Sequence, residues 1–186
     1  MNKRLQVVLV NEQDEVVGVM EKMEAHRKAL LHRAFSIFIF NRKGEMLLQQ
    51  RALQKYHSAG LWTNACCSHP LPDETPLQAA TSRLLEEMGF TTELHKVFDF
   101  VYKSDFENGL SEHEFDHVFV GWYDGIIMPD AEEVKDYCYK PLYDIEESLL
   151  SHPQKYTAWF HLAFPKVAAW ARENAATAAS LSSGTL

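Results

Sequence analysis

Hydrophobic and polar positions group early in the chain into two apolar runs, LQVVLV and VVGVM, which flank the polar segment NEQDE. Two such runs joined by turn residues are typical of a β-hairpin, which we predict between Leu5 and Met20. The polar stretch EKMEAHRKALL predicts a helix or loop that becomes a strand at about Arg33. After the turn NRKGE, the run EMLLQQRA predicts the return strand.

The clearest helix signal lies in LWTNACCSHPLPDETPLQAATSRLLEEMGF, from Leu61 to Phe90. Thr75 suits the N-cap, Pro76 the first helical position, and Gln78 completes a capping box. Gly89 is the expected stop. Helical spacing predicts a core-facing stripe made of Leu77, Ala80, Thr81, Leu84 and Met88. The charged residues of the helix, Arg83, Glu86 and Glu87, then cluster on another face.

The C-terminal half continues this mixture of strands and helices. LHKVFDFVYKS and EFDHVFVGWYDG predict two antiparallel strands joined by a polar loop around Asn108 and Gly109, and DYCYKPL predicts a further strand. DIEESLLSH predicts a short helix capped by Asp144, and the end predicts two helical pieces, the second opened by Pro165. The pattern indicates a mixed β-sheet between helices, an α/β or α+β sandwich.

Composition limits the kinds of protein that this chain could be. A chain of 186 residues without a compositional shift predicts one domain over residues 1–186, with disorder confined to the Ala/Ser/Gly tail, residues 175–186. A net charge of −8 argues against nucleic-acid binding. No apolar run suits a signal peptide or a membrane span, so we expect a soluble, cytoplasmic protein, as a monomer or weak dimer. The three cysteines are interpreted as reduced thiols.

Alternation along extended segments brings chemically active side chains together. Cys67 and His69 point to the same side of their strand, as do Glu112 and Glu114. Three histidines and these two glutamates could hold a divalent metal: His26, His32, His69, Glu112 and Glu114. Spacing alone leaves open exposed histidines beside an acidic loop, and it equally leaves open that Cys67 is a small packing residue.

Four bases and two aromatic residues are further candidates. Lys22, Arg51, Lys55 and Arg83 come from separate segments and could meet a phosphate group, or could be solvated or ion-paired. In particular, Arg83 could bridge Glu87 one helical turn later. Tyr102 and Trp159 could pack in the core, although an aromatic face can also stabilise a cation in a dry pocket.

The charged helix resembles the Nudix box, whose usual form is G-x5-E-x7-R-E-U-x-E-E-x-G-U with U apolar. The matching positions here are Ser68, Glu74, Ser82, Arg83, Leu84, Glu86, Glu87, Gly89 and Phe90. The tail of the motif matches, but Ser68 replaces the first Gly and Ser82-Arg83 stands where Arg-Glu is usual. A guanidinium in place of a carboxylate disfavours a cluster of metals and favours holding a phosphate.

The whole chain is similar to one particular Nudix family. EKMEAHRKALLHRAFSIFIFN, RALQKYHSAGLWTNACCSHP and SEHEFDHVF, with Tyr102 and the late TAWF, resemble type I isopentenyl-diphosphate isomerases from about Leu5 to Arg172. The resemblance implies the Nudix fold and the isomerisation of isopentenyl diphosphate to dimethylallyl diphosphate, a step of isoprenoid precursor biosynthesis. It implies protonation of the alkene to a tertiary carbocation and removal of a C2 proton.

The resemblance also implies a role for each candidate residue. Glu114, assisted by Tyr102, donates the proton; Cys67 removes one; Trp159 faces the cationic carbon. Lys22, Arg51, Lys55 and Arg83 contact the diphosphate. One divalent metal (Mn, Mg or Zn) is held by His26, His32, His69, Glu112 and Glu114, and Glu87 helps to hold a magnesium ion on the diphosphate.

Two segments depart from the family pattern. Ala158 precedes Trp159 where Pro is common, and HSAG stands where an aromatic-Pro-Gly turn is common. His113 and His117 are interpreted as structural. Two other functions stay open: a Nudix hydrolase of nucleoside or prenyl diphosphates, which would release phosphate or a monophosphate, and a catalytically inactive binding module. Ser82 and Arg83 weigh against hydrolysis.

Overall fold

The structure is a computed structural model that describes residues 4–55, 57–106 and 108–174. Its elements in chain order are β1 (Gln6–Val10), β2 (Val16–Glu21), α1 (Lys22–Arg27), β3 (His32–Phe40), β4 (Met46–Arg51), β5 (Trp62–Thr63), β6 (Cys66–Ser68), α2 (Pro76–Met88), β7 (His95–Asp105), β8 (Ser111–Trp122), β9 (Val134–Lys140), α3 (Leu142–Ser151), a 3-10 turn (Pro153–Lys155) and α4 (Ala158–Glu173). The predicted hairpins and strands are confirmed. The predicted disordered tail lies outside the described residues.

Strand β3 lies at the centre of the mixed sheet. One of its edges runs parallel to β8, from His32 opposite Glu114 to Phe40 opposite Trp122. Its other edge is shared by β1, β6 and β4, which are all antiparallel to it. β7 pairs with β8, β2 with β1, and both β5 and β9 with β4. The centre of the sheet therefore brings segments together that are distant in the sequence.

Successive residues of β3 bury apolar side chains on both faces of the sheet. Phe35, Ile37 and Ile39 pack in one cluster with residues of α2, and Phe38 and Phe40 pack in another with residues of α4. Each such side chain contributes about 1.5–3 kcal/mol on burial. The predicted sandwich of a sheet between helices is thus confirmed, and its two cores hold the central strand in place.

Helix α2 begins and ends as its sequence predicts. The Thr75 side chain accepts from the Gln78 backbone N–H, and the Gln78 side chain accepts from Thr75, which forms the capping box. Gly89 ends the helix with φ 75°, where an added Cβ would collide with the Met128 carbonyl group. The prediction that Leu77 faces the core was wrong, because this residue in the first turn of α2 is 45% exposed.

Two predictions about the last helices were also wrong. Pro141 occupies the N-cap of α3, and Asp144 lies inside the first turn. Pro165 lies within α4, which is one continuous helix and not two pieces. The buried stripe Phe160, Phe164, Val167 and Ala168 runs past the proline, so packing outweighs the lost backbone hydrogen bond. In the described part of the chain, no helix has both the length and the apolar character needed to span a bilayer.

Candidate active site

A cavity of about 1080 Å³ opens beside the N-terminal end of β3. Eleven of the thirteen predicted site residues line its wall: Lys22, Arg51, Lys55, Cys67, His69, Arg83, Glu87, Tyr102, Glu112, Glu114 and Trp159. They come from helices, strands and loops across the chain. The cavity therefore brings a thiol, carboxylates, basic side chains and an indole to one place.

The histidine and glutamate cluster is assembled by strand pairing. His32 lies directly opposite Glu114 in the β3–β8 pair, and His69 follows β6 on the other edge of β3. The chain turn after α1 brings the ring of His26 to a centroid distance of 4.8 Å from the ring of His32. One ligand atom from each of the five predicted residues lies within 4.8 Å of all the others, and all five residues are buried.

The donor atoms of this cluster suit a divalent cation. Nδ1 of His26 and Nδ1 of His32 are 2.7 Å and 2.8 Å from the carbonyl oxygens of Lys22 and Leu30, so each Nδ1 carries its proton and each Nε2 presents a lone pair. Nε2 of His26 and Oε2 of Glu112 are buried without a hydrogen bond. Burial lowers the pKa of His69 well below its usual value, which keeps that imidazole neutral. Lone pairs and carboxylates facing one another without protons fit a bound metal.

Cys67 lies opposite Ser36 in the β3–β6 pair and faces the cavity. Its Sγ donates to Oδ1 of Asn64 at 3.1 Å and lies 3.5 Å from Oγ of Ser36. The Ser36 hydroxyl donates to Oδ2 of Asp116 at 2.7 Å. Burial, with the charge of Asp116, raises the pKa of Cys67, so the group is a thiol when the cavity is empty of substrate. Cys66 points into the core on the α2 side of the sheet.

The two oxygens of Glu114 have different environments. Oε1 is 2.8 Å from Nε2 of His69 and 3.6 Å from Nε2 of His32, whereas Oε2 accepts from the Tyr102 hydroxyl at 2.6 Å. Burial opposes the ionisation of Glu114, but the polar groups around it, His32 first, outweigh burial and lower its pKa to about 2. Burial, with the charge of Glu114, raises the pKa of Tyr102, so the phenol keeps its proton.

Trp159 closes one side of the cavity from the first turn of α4. The residue is 4% exposed, and the guanidinium carbon of Arg51 lies 5.2 Å from the centroid of its ring. The ring of His57 meets the indole edge-on at a centroid distance of 5.8 Å. The indole is buried and already contacts one cation, the Arg51 guanidinium. Its electron-rich face is the kind of surface that stabilises a carbocation.

The four predicted basic residues share the cavity wall, and Arg83 and Lys55 form ion pairs there. Arg83 pairs with Glu87, as the helical spacing allows, and also contacts Glu86 at 2.5 Å and Glu133 at 3.3 Å. Lys55 pairs with Glu133. Acidic side chains outnumber basic ones among the described wall residues. A diphosphate would therefore need added cations as well as these four bases.

Several residues that touch the site were missed in the sequence. Asn64 belongs to the TN-x-x-C motif, and Asp116 continues the alternation of Glu112 and Glu114, so both had a detectable signal. His57 stands in HSAG, the segment that departs from the family pattern. Ser36 lies four residues after His32 and so points to the same face of β3. Glu133 gave no local signal, because its partners are distant in the sequence. His113 and His117 contact Ala29 and Asp14.

Comparison with known proteins places these observations in a family. Residues 30–160 match the family described as NUDIX domain. An isopentenyl-diphosphate Delta-isomerase from Pectobacterium atrosepticum is 48% identical over 87% of this chain and 90% of its own. One from Burkholderia multivorans is 50% identical over 87% of this chain and 90% of its own.

Solved structures share the fold at low identity. A Deinococcus radiodurans protein superposes with a TM-score of 0.67 at 18% identity, covering 79% of this chain and 90% of its own. The MutT protein of Methanosarcina mazei gives a TM-score of 0.60 at 22% identity, covering 77% of this chain and 95% of its own. These similarities show a shared fold, that is, the same arrangement of strands and helices.

Proposed function

This chain belongs to the NUDIX domain family and, within it, to the isopentenyl-diphosphate Delta-isomerases, and from that premise we propose how its cavity converts isopentenyl diphosphate to dimethylallyl diphosphate. The reaction adds a proton to the terminal alkene carbon C4, leaves a positive charge on C3, and removes a proton from C2. The C2–C3 double bond forms and the diphosphate stays attached. The enzyme must therefore provide an acid, a base and a dry shelter for a tertiary cation.

The acid is Glu114 together with Tyr102. Oε1 of Glu114 faces the histidines, so Oε2, with the Tyr102 hydroxyl at 2.6 Å, is the oxygen from which a proton can reach C4. The phenol keeps Oε2 oriented while the proton leaves. Tyr102 and Glu114 are direct partners in the β7–β8 pair, so the strand register maintains this geometry.

The base is Cys67. β3 separates it from Glu114, since Cys67 pairs beside Ser36 on one edge and Glu114 pairs beside His32 on the other. An alkene lying between them can gain a proton at C4 and lose one at C2. In the empty cavity the proton is on the Cys67 thiol and Glu114 is ionised, so a proton must move from Cys67 to Glu114 before the reaction, and each turnover then leaves Glu114 ionised and Cys67 a thiol again. The Ser36 hydroxyl, which donates to Asp116, lies within hydrogen-bonding distance of the Cys67 sulfur.

The hydrocarbon is protected by the aromatic wall. Water would capture a tertiary cation, and the indole of Trp159 both excludes water and offers its π face. Tyr102 is buried as well, so neither aromatic side chain needs to move to shelter the cation. A Cys67 thiolate can act as the base only while it stays unoxidised, which requires a reducing compartment and fits a cytoplasmic location.

The polar end of the substrate is held by charge. Lys22, Arg51, Lys55 and Arg83 contact the diphosphate, and Glu87 takes part in holding the magnesium ion that accompanies it. His26, His32, His69, Glu112 and Glu114 hold one divalent metal, Mn, Mg or Zn, which fixes these side chains and adds positive charge when bound. The surplus of acidic residues along the wall supports both cation requirements.

The observation that carries the proposal is the presence of Cys67 and the Tyr102–Glu114 pair on one cavity with Trp159. The test is an NMR assay of the purified protein with isopentenyl diphosphate and magnesium in deuterated water. We expect dimethylallyl diphosphate with deuterium in its methyl groups and the diphosphate intact. Release of orthophosphate or a monophosphate, or binding without isotope exchange, would refute the proposal.

A further inference from the structure

His57 lies in the cavity wall, in the loop between β4 and β5, and is 9% exposed. Its Nε2 is 3.1 Å from Oε1 of Glu112, while Oε2 of the same carboxylate lies 3.2 Å from Nε2 of His26. The two oxygens of Glu112 are therefore divided, one toward the metal cluster and one toward His57. His57 itself was not among the residues singled out in the sequence.

The imidazole of His57 is oriented by its other contacts. A carboxylate only accepts hydrogen bonds, so Nε2 carries the proton, and Nδ1 can accept from the Ser58 hydroxyl at 3.3 Å. The ring stacks on Phe106 at a centroid distance of 5.1 Å with an interplanar angle of 16°. The backbone carbonyl of His57 accepts from Arg51 at 3.2 Å. Stacking and hydrogen bonding together favour the orientation in which the N–H of the ring is directed at Glu112.

We propose that His57 is a positioning residue for the metal centre: it occupies Oε1 of Glu112, so that this carboxylate offers a single oxygen, Oε2, to the metal. The inference rests on the proposed function, because it assumes that the histidine and glutamate cluster binds a divalent cation. Without His57, Oε1 would be a buried carboxylate oxygen lacking this donor, and the side chain could turn about its terminal bond. Outer partners of this kind change metal affinity because they fix the ligand's orientation.

A role confined to packing makes the opposite prediction. His57 touches Phe106 and Trp159, so a residue that only filled this space could be replaced by any aromatic ring. Two variants separate the alternatives. His57→Phe keeps a ring between the two aromatic neighbours and removes the N–H, whereas His57→Gln removes the ring and keeps an N–H that can reach Glu112.

The experiment measures Mn²⁺ affinity of the chelator-stripped protein by electron paramagnetic resonance of the free ion, a readout that does not depend on activity. We expect His57→Phe to weaken binding about 10- to 100-fold, the usual effect of losing an outer partner of a ligand. His57→Gln should stay close to the parent. The matched control is His95→Phe, because His95 also packs against an aromatic ring, that of Trp122, at the far end of the sheet. It should leave affinity unchanged.

Each other outcome overturns the inference. Unchanged affinity in His57→Phe, equal losses in His57→Phe and His57→Gln, or the same loss in His95→Phe would show that His57 does not act through Glu112. If His57→Phe does not fold, judged by circular dichroism, the smaller His57→Leu repeats the test. A parent protein that fails to bind Mn²⁺, or that binds it and fails to isomerise the substrate, would refute the proposed function itself, which distinguishes the two failures.

Discussion

Tyr102 and Glu114 face each other across the β7–β8 pair, and the Tyr102 hydroxyl donates to Oε2 of Glu114 at 2.6 Å. The contact joins side chains 12 residues apart through the register of one hairpin. Because both strands are hydrogen-bonded on either side of this pair, the two residues stay opposite each other, with the phenol within reach of the carboxylate. The strand register therefore places the two groups of the proposed acid side by side, and their hydrogen bond joins them.

Tyr102→Phe should lower kcat about 100-fold with little change in KM, since assistance to proton transfer is worth about 10²–10⁴ in rate. The assay is conversion of isopentenyl diphosphate followed by NMR. Tyr139→Phe is the control, because Tyr139 also loses a hydrogen bond, to the Tyr123 carbonyl, away from the cavity. A Tyr102→Phe enzyme with the parent kcat would remove Tyr102 from the mechanism.

Cys67→Ala should abolish turnover, whereas Cys66→Ala should keep the parent kcat. Only Cys67 faces the cavity, and Cys66 packs beside α2, where its loss costs about 1 kcal/mol of unfolding free energy. Isotope exchange at C2 in deuterated water and urea denaturation measure the two effects. Equal losses of turnover in both variants would mean that the wrong thiol has been assigned.

Lys55→Gln should raise KM about tenfold, because losing one charged contact to the diphosphate costs about 1.5 kcal/mol or more. The value of kcat should change little, since the alkene lies at the other end of the substrate. Lys43→Gln, in the exposed turn between β3 and β4, is the control for loss of a positive charge. Steady-state kinetics at several substrate concentrations decide the matter, and an unchanged KM for Lys55→Gln would exclude Lys55 from substrate binding.

Removal of the divalent metal should lower the melting temperature. A metal present at 100 times its Kd stabilises the folded state by about 2.7 kcal/mol, which for a chain of this size corresponds to about 5–10 °C. Differential scanning calorimetry with Mn²⁺ and with a chelator measures the difference. His26→Gln should lose it, and His161→Gln on α4 should retain it. Equal melting temperatures for the parent in both buffers would argue against a resident metal.

Glu74→Gln tests a structural role at the Nudix-like motif. Burial opposes ionisation of Glu74, but Arg4 and the backbone N–H of Leu71, at 2.9 Å, outweigh it and lower its pKa. A lowered pKa in the folded state means that the carboxylate stabilises the fold above its unfolded pKa of about 4.3 and loses this effect as pH falls through the folded value.

The variant should therefore be less stable than the parent by about 0.5–1 kcal/mol at pH 7, the range for an accessible ion pair. The difference should disappear as the pH falls below 4. Urea denaturation of both proteins across this range measures it. A difference that stays constant with pH would show that the charge of Glu74 contributes nothing to stability.

Local sequence determined a large part of this protein. The capping box at Thr75 and the stop at Gly89 depend only on neighbouring residues, and they are present as predicted. The alternation that pairs Glu112 with Glu114 depends only on an extended backbone, and both line the cavity. Leu77 and Pro165 were misread because their environment depends on what packs against the helix, which spacing does not state.

The tertiary structure alone decided how distant segments meet. Whether His26 and His32 converge depended on the turn after α1, and the partner of Ser36 lies 80 residues away in Asp116. The pairing of Lys55 with Glu133 spans 78 residues, and the contact of His57 with Glu112 joins a loop to a strand. Such contacts depend on the order and register of the strands. Order and register result from the burial of apolar side chains throughout the chain, so no local sequence pattern predicts these contacts.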